Sequence, residues 1–152
     1  MRKIRAFGTD WLSVPVKYCL CFTPEEYRYA NKVCGREHYS PFVNEGAHAT
    51  THTFQLPNRK GRGAIVCLKL DENWTIEQIH GLLVHEAVHV FQEIMAEWGE
   101  EKPGDETQAY FIQTIASDLF YELTRYYKEN PHAHPDYSKQ RKKRRNVVRG
   151  RR

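Results

Sequence analysis

Val84-His85-Glu86-Ala87-Val88-His89-Val90 places two histidines and a glutamate in the order H-E-x-x-H. On an α-helix, positions i and i+4 stand one above the other on the same face, so both imidazoles reach toward one point. Glu86, one residue after His85, projects beside that point, where a carboxylate takes a proton from water. The donor types suit zinc, which accepts imidazole nitrogens and keeps a position open when it is catalytic. Five such residues recur by chance in roughly a few per cent of chains this long, so the flanking sequence has to supply a helix.

It does. Thr75 is an N-cap with Gln78 three residues on, as in a capping box, and Gly99 is a natural residue to follow a helix end. The spacing predicts a helix from Ile76 to about Trp98. Between Leu82 and Met95 it is apolar nearly all round, which predicts burial on every side. His85, Glu86, His89, Gln92 and Glu93 are the polar exceptions. Burying two histidines and a glutamate without partners costs several kcal/mol, roughly, and a metal ion would remove much of that cost.

Around this helix the chain reads as α+β. Val14–Phe22 is rich in β-branched and aromatic residues and predicts a first strand, with Pro15 at an edge or a start. Thr23-Pro24-Glu25-Glu26 opens a short helix running to about Cys34 and ending at Gly35. Ala47–Leu56, with His48, Thr50, His52 and Phe54 on one face, and Ala64–Leu70 are expected to form a β-hairpin across the polar turn Pro57–Gly63. Asp105 and Gln108 predict a capped helix from Glu106 to about Glu129. Its apolar residues, among them Ile112, Ile115, Leu119 and Leu123, recur at three- and four-residue steps. The expected architecture is a short antiparallel or mixed sheet packed on two long helices.

At 152 residues the chain suits one domain with a real core, expected over 1–135. No apolar run approaches a membrane span, which predicts no membrane partner. The basic N-terminus lacks an apolar h-region, so a cytoplasmic location is expected. The net charge of +4 hides an asymmetry: Lys139–Arg152 holds nine of the 23 basic residues and no acid, which leaves 14 basic against 19 acidic residues elsewhere. Residues 136–152 are expected to be a disordered basic tail, either contacting nucleic acid phosphates or serving as a solubilising extension. Cys19, Cys21, Cys34 and Cys67 form no C-x-x-C pair and read as reduced, largely buried thiols. A zinc set of Cys19, Cys21, Cys34 and His38 is the weaker alternative. The oligomeric state is left open by the sequence.

A catalytic zinc site needs a third protein ligand. Glu106, in the first turn after the chain reverses, is the candidate, with Glu100, Glu101 and Asp105 as rivals near the turn. Tyr110, on the same helical face as Glu106, is read either as a hydroxyl serving a ligand or a developing oxyanion, or as an ordinary core aromatic. His48, His52, His132 and His134 are further oxyanion candidates against a structural reading.

His-Glu-Ala-Val-His on such a helix, followed by a second helix opening Asp-Glu-Thr-Gln-Ala-Tyr, resembles the gluzincin metallopeptidases. The likeness is to their smallest prokaryotic and phage-encoded members and covers Ala64 to about Tyr127. The resemblance implies a minimal zincin-like domain that hydrolyses peptide bonds in a protein or peptide substrate. It implies Zn2+ held by His85, His89 and Glu106, with Glu86 as general base toward the metal-bound water. It further implies that the strand Ala64–Leu70 lines the cleft and pairs with an extended peptide. The chain departs from the family at Tyr110, where gluzincins often carry an Asp that supports a ligating histidine. That support must come from elsewhere, and so small a domain implies a shallow site or a narrow preference. The alternative is a non-catalytic, metal-stabilised protein whose tail binds nucleic acid or a partner.

Overall fold

The computed structural model describes residues 2–8, 15–57, 61–71 and 73–135. Met1, Thr9–Val14, Asn58–Lys60, Glu72 and the basic tail therefore lie outside the described residues. A three-stranded mixed sheet, built from β1 (Val16–Cys21), β2 (Ala49–Gln55) and β3 (Arg62–Leu68), has the order β1-β3-β2. β2 and β3 form the expected antiparallel hairpin, and β1 runs parallel to β3. The intervening helices are α1 (Pro24–Val33), α2 (Ile76–Trp98) and α3 (Asp105–Glu129), with a 3₁₀ turn at Pro131–Ala133.

Alternation along the strands sorts the two faces. Val16, Tyr18 and Leu20 of β1, with Ala64, Val66 and Leu68 of β3, face the long helices and join Leu83, Ala87, Val90, Ile94, Ile115 and Leu119 in the main core. Cys19, Cys21, Ile65 and Cys67 face the other way, under Tyr27 and Ala30 of α1 and the loop residues Phe42 and Val43. The sheet is thus covered on both sides, by the two long helices on one and by α1 and the 42–43 loop on the other. The four cysteines are free, and three of them are buried. Burial pushes the Cys67 thiol well above its usual range, and a hydrogen bond with Cys19, together with burial, does the same for Cys21. Gly63 lets the Phe54 ring lie over β3 on this second face, since a Cβ there would stand 2.5 Å from the ring and force it to move.

Local signals explain the helix ends. Thr75 and Gln78 form a complete capping box on α2, and Gly99 closes it in the left-handed conformation at φ 68°. Thr23 caps α1, but Glu26 does not return to the Thr23 backbone. Its carboxylate instead accepts from Phe22 N–H at 2.8 Å and pairs with Arg2. α3 begins one residue earlier than expected: Gly104 is the N-cap, Asp105 is the first helical residue, and no side chain caps this end.

Arg2 ties three elements together. Its guanidinium bonds Glu26 of α1 at 2.9 Å, Glu122 of α3 at 2.5 Å and the Leu20 carbonyl of β1 at 2.8 Å, below the Phe22 ring. On the helix-facing side of the sheet, the Tyr18 hydroxyl donates to Asp118 of α3 at 2.5 Å. α3 therefore lies over β1, and α2 lies over the β2 side. No helix among the described residues is long and apolar enough to cross a membrane.

Candidate active site

α2 is not buried on every side, and this corrects the sequence reading. Its inward stripe runs through Ile79, Leu83, Glu86, Ala87, Val90, Phe91, Ile94 and Met95, while Val84, His85, His89 and Gln92 are exposed. β3 and α3 cover only part of the helix circumference. The flank above the outer edge of β2 stays open, and the H-E-x-x-H motif straddles that boundary. Of its three polar residues only Glu86, at 3 % exposure, carries a desolvation cost.

The two imidazoles converge on that open flank. His85 Nε2 and His89 Nε2 stand 3.2 Å apart, with the rings at 79° to one another. Two nitrogens each 2.0–2.1 Å from one tetrahedral zinc are about 3.3–3.4 Å apart. The 3.2 Å separation is that of an N–H···N hydrogen bond between the rings and is also close to the spacing of two ligands of a single ion. His89 Nδ1 lies 3.1 Å from Gln92 Oε1, one helical turn on. Glu86 lines the same cleft, and its Oε2 accepts a hydrogen bond from the Thr51 hydroxyl of β2 at 2.6 Å. Sequence reasoning missed both partners. Gln92 stood only among the polar exceptions. Thr51 fell on the unexamined side of β2, although strand alternation already turned it away from Thr50 and His52.

Between α2 and β2 these residues line a cleft of about 540 Å³ whose far walls are Asn44, Ala47 and Thr53. Farther along α2, Glu93 also lines the cleft and is ion-paired with Arg62 at the start of β3, with Glu97 3.9 Å from the same guanidinium.

Glu106 and Tyr110 do not join this group. Both are exposed on α3 and neither lines the cleft. α3 packs on the opposite flank of α2 from β2. Phe111 touches both Phe91 and Trp98, and Phe120 packs on His80, so the helices are antiparallel. In that register Glu106 lies toward the C-terminal end of α2, beyond His89. Glu100, Glu101 and Asp105 occupy the same exposed turn. Among the described residues, no group of three or more His, Cys, Asp or Glu side chains is placed to hold a metal, which includes the Cys19, Cys21, Cys34 and His38 set.

The remaining histidines also lie off the cleft. His48 packs on Trp74, and His134 packs on Tyr127. His132 is exposed in the 3₁₀ turn. His52 is buried on the α1 face, with Nε2 3.0 Å from the Phe42 carbonyl, and burial lowers its pKa.

No family model, curated protein or solved structure matches the chain.

The open edge of the sheet belongs to β2. β3 is paired on both sides, so the peptide pairing that the resemblance implied for Ala64–Leu70 has no free backbone there. The outer side of β1 carries the bridge Phe7–Tyr18. Backbone bonds Lys69 N–His48 O and Leu56 N–Gly61 O set the phase of the β2–β3 ladder. In that phase Thr50, His52 and Phe54 bond β3, while Ala49, Thr51 and Thr53 turn their N–H and C=O groups outward over the cleft.

Proposed function

We propose that the chain is a zinc-dependent peptidase acting on an extended segment of a protein or peptide. The observation that carries this reading is the convergence of His85 Nε2 and His89 Nε2 at 3.2 Å beside a buried glutamate in a cleft under an open strand edge. His85 and His89 would hold the ion. The sequence candidate for the third ligand, Glu106, stands outside the cleft, and the acid lining the cleft besides Glu86 is Glu93, paired with Arg62. The chemistry zinc supplies when bound is Lewis-acid activation of water and of an acyl oxygen.

The chain's own residues do the rest. A substrate segment would add to β2 through the outward backbone groups of Ala49, Thr51 and Thr53, which orients its carbonyls along the cleft. Thr51 holds one oxygen of Glu86, and the other would accept a proton from a water beside the imidazole pair and return it to the leaving amine. The small side chains of Ala47 and Ala49 leave room for the substrate backbone close to β2.

The test combines metal analysis with cleavage of a complex peptide pool read by mass spectrometry. Protein purified without added metal should carry about one equivalent of zinc, and His85→Ala should lose it. New cleavages made by the parent should vanish in Glu86→Gln while zinc is retained. Zinc below roughly half an equivalent, or cleavage unaffected by Glu86→Gln, overturns the proposal. A second reading, a non-catalytic metal-stabilised protein, is favoured by the lack of a third ligand at the pair among the described residues. Zinc retained with no cleavage at all, and a melting temperature lowered in His85→Ala, would select it.

A further inference from the structure

We infer that Gln92 is the positioning residue for His89. Its side-chain amide oxygen keeps the imidazole proton on Nδ1 and leaves Nε2 open toward the metal position. The inference rests on the metal reading proposed above and adds to it the group that replaces the carboxylate usually found behind a ligating histidine.

Gln92 follows His89 by three residues, so the two side chains are neighbours on the exposed flank of α2. The 3.1 Å contact joins Oε1 to Nδ1, and a carbonyl oxygen only accepts, so the shared hydrogen belongs to the imidazole. With Nδ1 protonated, a neutral His89 presents a lone pair at Nε2, the atom 3.2 Å from His85 Nε2. The opposite orientation of the amide would put the hydrogen on Nε2 and block the shared position. One ligand of the pair is thus set by a residue of the same helix, independent of α3, where Tyr110 stands exposed. An amide also differs from a carboxylate in charge. It orients the ring without adding negative charge, so exchanging it for a carboxylate should raise the basicity of His89 and tighten metal binding.

The experiment uses the full chain, freed of metal, as wild type, Gln92→Ala and Gln92→Glu. Nitrogen-15 spectra of the histidine rings at about pH 8, above the ordinary imidazole range, report which nitrogen carries the hydrogen. Zinc affinity is read by competition with a chromogenic chelator. His89 is expected as the Nδ1–H form in wild type and in Gln92→Glu, with that preference lost in Gln92→Ala. Zinc binding should weaken roughly ten- to a hundredfold in Gln92→Ala and be kept or tightened in Gln92→Glu. Gln92 is exposed, so an unchanged urea midpoint is expected alongside and separates a local loss from unfolding. An Nε2–H form of His89 in wild type overturns the inference, and so does equal zinc affinity of wild type and Gln92→Ala. A wild-type chain that takes up no zinc overturns the peptidase reading itself, and this role with it.

Discussion

Replacing Arg2 by Met should cost about 3 kcal/mol of stability, the low end of the range for removing one partner of a buried ion pair. Side-chain exposure is 4 % for Arg2, 6 % for Glu26 and 1 % for Glu122, so solvent cannot take over from the guanidinium. The low end applies because neither acid is left bare. Glu122 keeps Arg125 Nη1 at 2.7 and 2.9 Å, and Glu26 keeps the Phe22 N–H at 2.8 Å. Methionine preserves some of the packing of the Arg2 stem against Phe22 and Tyr126, whose ring centroids lie 5.0 and 5.9 Å from the guanidinium carbon. In urea, with a slope of about 2 kcal/mol per molar, the midpoint should fall by about 1.5 M with the slope unchanged. The loss should persist at high salt, because buried pairs are little screened. Adding Glu26→Gln to Arg2→Met should recover part of the loss, because Glu26 is the acid left with a backbone N–H but no cation. A midpoint within about 0.3 M of wild type, or a loss abolished by salt, would refute the reasoning and with it the role of Arg2 in fixing α1 and α3 on β1.

Two further outcomes follow from single contacts. Thr51→Val keeps the side-chain shape and removes the donor to the buried Glu86 carboxylate. Stability should drop by about 1.5–3 kcal/mol in urea and recover in Thr51→Ser, while zinc affinity stays unchanged; recovery absent in the serine variant counts against the hydrogen bond. Tyr127 has a buried hydroxyl without a hydrogen-bond partner among the described residues, so Tyr127→Phe should stabilise the fold at neutral pH by about 1 kcal/mol. Burial also pushes the Tyr127 phenol up to about 12. A folded pKa raised above the unfolded value means that its contribution is whole below about pH 10 and is lost as pH rises toward the folded value, by about 1.4 kcal/mol per pH unit. The decline in urea midpoint between about pH 9 and pH 11 should be shallower in Tyr127→Phe, and an equal decline in both proteins sinks the assignment.

What the sequence by itself determined is local. Capping chemistry at Thr75 and Gln78, the left-handed Gly99 and the 3.6-residue period defined α2 to the residue, because each signal acts within one turn of the chain. The hairpin was legible for the same reason, since alternation and a polar turn are short-range features. His85, Glu86 and His89 share a helix, so their mutual placement followed from spacing alone.

The tertiary structure decided which side of that helix the chain leaves open. Periodicity cannot say how much of an apolar helix its neighbours cover, and here the flank above β2 stays uncovered, so His85 and His89 are exposed while Glu86 is buried. The parallel pairing of β1 with β3 is long-range. It moved the free edge from Ala64–Leu70 to β2 and brought Thr51 under Glu86. The side of α2 on which α3 packs is equally non-local. It is held by Tyr18–Asp118 and by Arg2, contacts between residues a hundred or more positions apart, and it carries Glu106 and Tyr110 away from the histidine pair. A motif confined to one helix needs only the geometry of that helix, whereas a ligand on the next one depends on every contact that orients the two.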